Sequence, residues 1–108
     1  MQVSDILIIV WGHFLVDFFF QSDSMATNKS KSMFWLSIHS ICYTIMWVWF
    51  GLGFAIINGL AHWLVDFFSS RATSALWKKE QRHWFFVVIG FDQAIHLTIL
   101  VLTYQIIR

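Results

Sequence analysis

Two nearly identical segments place a histidine and an aspartate four residues apart within apolar sequence. The first is HFLVDFF at residues 13–19, and the second is HWLVDFF at residues 62–68. A third segment, DQAIH at residues 92–96, has the same spacing in the opposite order. Imidazole and carboxylate groups together bind zinc, manganese, iron or nickel, and in membranes they also carry protons. The three segments therefore predict either a metal site or a pathway for ions or protons.

The spacing of four determines how these side chains are arranged if their segments are helical. Residues four apart lie about one turn apart on the same face of an α-helix. His39 adds a fourth histidine within apolar sequence, whereas His83 falls at a predicted helix start. The predicted metal ligands are the four histidines and three aspartates of the apolar runs: His13, Asp17, His39, His62, Asp66, Asp92 and His96. This set suffices for two divalent transition-metal ions with a bridging carboxylate. Alternatively, Asp17, Gln21 or Asp66 could orient a ligating histidine through a hydrogen bond rather than bind the metal directly.

Burying these groups in a membrane would be costly. Three aspartates at helix centres would cost about 8 to 10 kcal/mol on the insertion scale. Hydrogen bonds between helices contribute about 0.6 kcal/mol each, so structural hydrogen bonding alone explains the cluster poorly. Metal binding is therefore the favoured interpretation. An ion or proton pathway and purely structural hydrogen bonding are the two alternatives.

The composition indicates an integral membrane protein. Of the 108 residues, 58% are hydrophobic and 12% are charged, proline is absent, and the mean hydropathy is +0.66. Soluble domains contain far more charge, so we expect a single membrane domain over residues 1–108 with the lipid bilayer as its surroundings. The formal net charge of +1 and the confinement of basic residues to short loops give no reason to expect nucleic acid as a partner.

The apolar runs predict four transmembrane helices. The run over residues 33–68 would be about 54 Å long as one helix, well beyond a hydrocarbon core of about 30 Å, so we expect a turn at Gly51 and Gly53. The predicted helices cover residues 5–22, 32–50, 52–70 and 83–108, with Ser4 and Ser32 as N-caps and a short interfacial helix around 73–80. The predicted fold is all-α, a four-helix transmembrane bundle made of two helical hairpins that run in parallel.

The basic residues predict the orientation of these helices. Six of the seven lysines and arginines lie in the first and third loops: Lys29, Lys31, Arg71, Lys78, Lys79 and Arg82. The positive-inside rule makes this side cytoplasmic and places both termini outside the cytoplasm. Counted from the cytoplasmic helix ends, the seven predicted ligands lie about 6 to 20 Å deep, close enough to form one site.

Metal-dependent hydrolysis is the preferred function. A bound ion would activate water and polarise a phosphoryl or acyl oxygen, with Asp92 or Asp66 as general base. The cytoplasmic position favours a lipid or phosphorylated substrate. Translocation of divalent metal or protons is the alternative, although the polar path does not continue far toward the outside. Four short helices barely enclose two ions, so a homodimer is possible.

The whole chain resembles a bacterial and phage family of small integral membrane proteins of unknown function, DUF3307. The likeness rests on HFLVDFFFQ at residues 13–21, Lys29 or Lys31, His39, HWLVD at 62–66 and DQAIH at 92–96. The resemblance implies a bacterial inner-membrane location and a basic residue within about a turn of Asp66, where this chain has Ser69 and Ser70 before Arg71. It implies no activity. A looser likeness to membrane-bound metal-dependent hydrolases rests on histidines and aspartates placed in short helices.

Overall fold

The computed structural model describes residues 2–19 and 28–107 of the chain. The described residues form four α-helices and no strand, which confirms the all-α prediction for this part of the chain. The helices are α1 (Val3–Phe14), α2 (Met33–Trp47), α3 (Leu52–Lys78) and α4 (Arg82–Ile107). A π-helical turn over Leu15–Phe19 continues α1, and a 3-10 turn over Val48–Phe50 follows α2.

The starts of the first two helices follow from local hydrogen bonds. The backbone N–H of Gln2 donates to the Asp5 carboxylate at 3.1 Å, and α1 begins at Val3. The predicted N-cap at Ser4 is therefore wrong, because that residue is already within the helix. Ser32 caps α2 as predicted, since its Oγ accepts from the backbone N–H of Trp35 at 3.5 Å. The predicted end of the first helix, at residue 22, lies outside the described residues.

The predicted turn in the long middle run is present at Gly51. Its φ of 122° is a conformation that residues with a side chain rarely adopt, so glycine is required where the chain reverses between α2 and α3. Gly53 lies inside α3 rather than in the turn. The close approach of the two helices depends on Gly59, because a Cβ at this position would overlap the side chain of Thr44.

Helix α3 is longer than the predicted range of 52–70. It continues without a break to Lys78, so the prediction of a separate helix around 73–80 is wrong. The segment RATSALWK contains no glycine or proline, and its alanines and leucine favour helix. The chain reverses just afterwards at Glu80, whose φ is 60°, and α4 then begins.

Helix α3 is the centre of the packing, with α2 and α4 against it. Helix α1 contacts α4, and its π turn contacts α2. Apolar side chains from all four helices form a buried cluster, of which Ile9, Trp47, Phe54 and Leu100 are almost fully inaccessible. The arrangement of the helices as two equivalent hairpins stays a prediction.

Three helical segments are long and apolar enough to cross a membrane: Met33–Phe50, Leu52–Lys78 and Arg82–Ile107. Their outer faces carry exposed large apolar side chains, among them Trp49, Leu60 and Phe68. Such an extensive apolar surface is unusual for a protein surrounded by water. The described part of the first helix is shorter, so its crossing of the membrane stays a prediction.

Candidate metal centre

Asp17 is the hub of a buried cluster of histidines and carboxylates. The π turn carries this side chain, which is 3% exposed, to the contact with α2 and α3. Its Oδ1 lies 2.9 Å from His39 Nε2 and 3.1 Å from His62 Nε2, and its Oδ2 lies 3.6 Å from His13 Nε2. A carboxylate oxygen only accepts, so the two closer imidazoles donate to it. Asp17 thereby joins the end of the first helix to both neighbouring helices.

Asp66 is the second carboxylate of the cluster. Its Oδ2 lies 3.6 Å from His39 Nε2 and 3.2 Å from the Nζ of Lys29. The lysine side chain is 20% exposed, whereas Asp66 is 2% exposed, so the ammonium group reaches inward from the surface. Lys29 therefore offsets part of the negative charge that two neighbouring buried aspartates create.

A chain of hydrogen bonds fixes the protonated nitrogen of His13. The Gln93 amide N–H donates to Asp92 Oδ2 at 3.0 Å, which turns its Oε1 toward His13 Nε2. Because that amide oxygen only accepts, Nε2 is the protonated nitrogen, and Nδ1 accepts from the Tyr43 hydroxyl at 3.2 Å. The Tyr43 ring also stacks on His62, with centroids 3.9 Å apart and planes 11° apart.

Asp92 lies at the edge of the cluster. Its Oδ1 accepts from the Ser69 hydroxyl, and its Oδ2 lies 3.4 Å from His96 Nδ1. Among the described residues, His96 Nε2 and His39 Nδ1 are buried nitrogens without a hydrogen-bond partner. Buried polar atoms are normally paired, so each of these nitrogens is a candidate for a ligand that would complete it.

Three overlapping groups of side chains have the geometry to hold a metal ion. They are His13, Asp17 and His96; Asp17, His39 and His62; and His62, Asp66 and His96. Within each group the ligand atoms lie within 4.8 Å of one another. Metal bonds of about 2.0–2.2 Å in a tetrahedral site place neighbouring ligands roughly 3.4 Å apart, so a small movement of Asp17 and its two imidazoles would admit an ion in place of the shared protons. The donor set therefore fits a divalent transition metal.

All seven predicted ligands lie in this one network, although Asp92 belongs to none of the three groups. Their roles as ligands, and those of Asp92 and Asp66 as general bases, stay predictions. The predicted orienting residue Gln21 lies outside the described residues.

The sequence interpretation missed Lys29, Ser69 and Ser40 as direct neighbours of the cluster. Ser69 had a usable signal, because it lies three residues after Asp66 and so on nearly the same helix face. Ser40 Oγ lies 3.4 Å from His62 Nδ1, but it had no such signal, since only the packing of α2 on α3 brings the two together.

The cluster is open at one end and closed at the other. A cavity of about 200 Å³ borders the carboxylates of Asp17, Asp66 and Asp92. Toward the opposite helix ends most buried side chains are apolar, with Trp47 and Phe54 in contact at a centroid distance of 5.9 Å. The buried Asn58 amide donates to the Phe54 carbonyl and to Thr103 Oγ1. A small molecule could therefore approach the cluster from the end where the basic residues lie.

The described part of the protein therefore belongs to the class of all-α proteins that have long apolar helices and a buried His/Asp cluster. Residues 6–108 match the family described as "Protein of unknown function (DUF3307)", and the chain belongs to this family. No curated protein and no solved structure matches the chain. The family resemblance seen in the motifs is confirmed, whereas the looser likeness to membrane-bound hydrolases is not confirmed.

Proposed function

We propose that the His/Asp cluster binds one or two divalent transition-metal ions and that the chain is a metal-dependent hydrolase. Its substrate would be a lipid or phosphorylated compound at the cytoplasmic face of the membrane. The observation that carries this proposal is the position of three overlapping ligand groups beside a cavity that their own carboxylates line. Zinc, manganese, iron and nickel are all compatible with mixed imidazole and carboxylate ligands.

The ion would supply Lewis acidity toward a phosphoryl or acyl oxygen and would make water a better nucleophile. The side chains around the cluster would position the ligating histidines. Asp17 accepts hydrogen bonds from His39 and His62, and an ion would take the place of those two protons. Tyr43 holds His13 at Nδ1, which would leave Nε2 for the ion. Such partners of ligands commonly change metal affinity by about 10- to 100-fold when they are removed.

Asp92 is the better candidate for the general base. It lines the cavity, it lies outside the three ligand groups, and hydrogen bonds from Ser69 and Gln93 hold its carboxylate in place. Asp66 also lines the cavity, but it belongs to a ligand group and pairs with Lys29. A base must lie within hydrogen-bond reach of the attacking water, and both carboxylates line the cavity in which such a water would lie.

The apolar end of the protein favours hydrolysis over translocation of metal or protons. Beyond the cluster, Trp47, Phe54 and Leu100 are 1%, 0% and 0% exposed and fill the space between the helices. An ion path through this layer would need these large side chains to separate. A site that opens to one side is what a hydrolase requires.

Metal analysis of the detergent-purified protein tests the proposal. We expect stoichiometric zinc, manganese, iron or nickel in the wild type, and loss of the metal in His62→Ala and Asp66→Asn. His83→Ala is the matched control, because this histidine is exposed at the start of α4 and should leave the metal content unchanged. A wild-type protein that is folded by circular dichroism but free of metal would contradict the proposal.

Proteoliposomes separate the two functions. We expect the wild type to hydrolyse a phospholipid in a metal-dependent reaction. Asp92→Asn should abolish the hydrolysis and retain the metal. The opposite result is a wild type that does not hydrolyse the lipid but carries divalent metal or protons, with this flux abolished by Asp17→Asn. It would contradict the proposal of a hydrolase and favour translocation.

A further inference from the structure

A basic groove continues the cavity beside the carboxylates toward the surface. The groove has a volume of about 570 Å³, and Lys29, Ser70 and Thr73 line both the groove and the inner cavity. These shared walls make the two spaces neighbouring parts of one depression. A ligand in the groove could therefore place one of its groups next to the candidate metal centre.

The charges of the two parts differ. The inner cavity has three carboxylates, Asp17, Asp66 and Asp92. The outer groove is lined by three lysines, Lys29, Lys31 and Lys78, and no carboxylate is among its described lining residues. Lys29 already pairs with Asp66, so Lys31 and Lys78 are the ammonium groups that would attract an anion to the groove. Charge-assisted hydrogen bonds to phosphate oxygens are among the stronger ones in proteins.

Ser70 is an independent sign of a ligand at the junction. Its side chain is buried, with 6% exposed, and its Oγ has no hydrogen-bond partner among the described residues. It lines both the inner cavity and the outer groove. The nearby Thr73 hydroxyl already donates to the Ser70 backbone carbonyl at 3.0 Å. Ser70 thus has a buried hydroxyl without a described partner at a residue that lines the junction of the two cavities.

Aromatic side chains form the outer rim of the groove. Trp77 and Phe85 both line it, and their ring centroids are 4.9 Å apart. Arg82 lies over the Trp77 ring at 3.7 Å and adds another positive charge nearby. Tryptophan beside basic residues is typical of the level of lipid headgroups. The rim therefore suits a ligand that has an apolar part next to its anionic group.

We propose that this groove binds a phosphate group, with Lys31, Lys78 and Ser70 as donors, and holds it beside the metal centre. This proposal rests on the proposed function, which assigns the neighbouring cluster as a metal site. It adds that the substrate is a phosphate ester. A phospholipid headgroup and a soluble phosphate share this chemistry.

Native mass spectrometry of the full chain in a maltoside detergent tests the groove with three probes. They are phosphatidic acid, inorganic phosphate and oleate, which is an anionic amphiphile without phosphate. We expect phosphatidic acid to bind more tightly than oleate. Binding of inorganic phosphate as well would identify the phosphate group itself as sufficient, whereas binding of phosphatidic acid alone would identify the lipid headgroup as the source. Oleate binding as tight as that of phosphatidic acid would overturn the proposal.

Substitutions locate the binding. Lys31→Gln and Lys78→Gln should each raise the Kd for phosphatidic acid about fivefold, the effect of one lysine near an anionic headgroup. Ser70→Ala should raise it about tenfold, since a hydrogen bond to a charged group is lost. Lys79→Gln removes the same charge one residue away and outside the lining, so its Kd should change less than about twofold. Equal effects of Lys78→Gln and Lys79→Gln on the Kd would overturn the proposal that the groove binds the phosphate group.

Each titration is run with and without a chelator, which separates this proposal from the metal-dependent function. Protein that contains no metal even without the chelator, but binds phosphatidic acid through Lys31 and Lys78, would contradict the metal site and support the groove. Metal-loaded protein that binds phosphatidic acid and oleate equally would overturn the proposal of phosphate binding in the groove. It would not contradict the proposed metal site.

Discussion

Tyr43 illustrates how an uncharged side chain can control a charged cluster. Its hydroxyl lies 3.2 Å from His13 Nδ1, and its ring covers one face of His62. With a metal on Nε2, His13 would carry its proton on Nδ1, and the tyrosine oxygen would then accept the hydrogen bond. The same contact therefore orients His13 in either protonation pattern.

We predict that Tyr43→Phe retains the fold and weakens metal binding by about 10- to 100-fold, the usual effect of removing a partner of a metal ligand. The ring stack on His62 is kept, so the change isolates the hydroxyl. The measurement is competition for the metal with a chelator of known affinity, using the purified protein. Tyr104→Phe is the matched control, since Tyr104 packs on Phe50 at a centroid distance of 5.6 Å. Equal affinities of Tyr43→Phe and wild type would contradict an orienting role.

The contact between α2 and α3 is the element on which the cluster depends most, since His39 and His62 come from these two helices. Gly59 lies in this contact without space for a Cβ beside Thr44. The π turn after α1 is the other important element, because it presents Asp17 to both histidines. Single π-helical turns inside helices are frequent at functional sites.

We predict that Gly59→Ala destabilises the protein by about 1 to 3 kcal/mol, because the added methyl group must push α2 and α3 apart. Gly90→Ala is the matched control. A Cβ at Gly90 meets nothing within 4 Å, so the substitution should be neutral or stabilise α4 by up to about 1 kcal/mol through helix propensity. Reversible unfolding in mixed micelles measures both. Equal effects of the two substitutions would contradict a specific close approach at Gly59.

The whole molecule is polarised along its long axis. The carboxylates and lysines border connected cavities toward one set of helix ends, and the apolar cluster fills the other. Helix α3 shows this directly, since it carries Phe54 near its start, His62 and Asp66 in its middle and Lys78 at its end. This polarity agrees with the expected placement of the basic loops on the cytoplasmic side.

We predict that the junction between α3 and α4 is cytoplasmic and the end of α4 is outside. In a Cys42→Ala background, Gln81→Cys and Gln105→Cys are matched probes, because both glutamines are exposed. A membrane-impermeant maleimide should label Gln105→Cys in intact cells and Gln81→Cys only after the membrane is permeabilised. The reverse pattern would invert the orientation.

The residue types and spacings by themselves determined that the protein is helical, apolar and built around His/Asp pairs. The spacing of four places each pair on one helix face wherever the chain is helical, and the cost of burying charge makes these faces turn toward one another. The turn at Gly51 followed from the length of the apolar run. These conclusions depend on local geometry and on the solvent, so no tertiary contact was needed to reach them.

Tertiary packing alone decided which atoms meet. Asp17 is the hub and Asp92 lies at the edge because a π turn and the rotation of each helix set the directions of their side chains, and packing against neighbours sets those rotations. Lys29 reaches Asp66 across 37 residues of sequence, a contact that only the folded chain creates. The extension of α3 to Lys78 has both origins, since the alanines and leucine of this segment favour helix and the segment continues a helix that packing already stabilises.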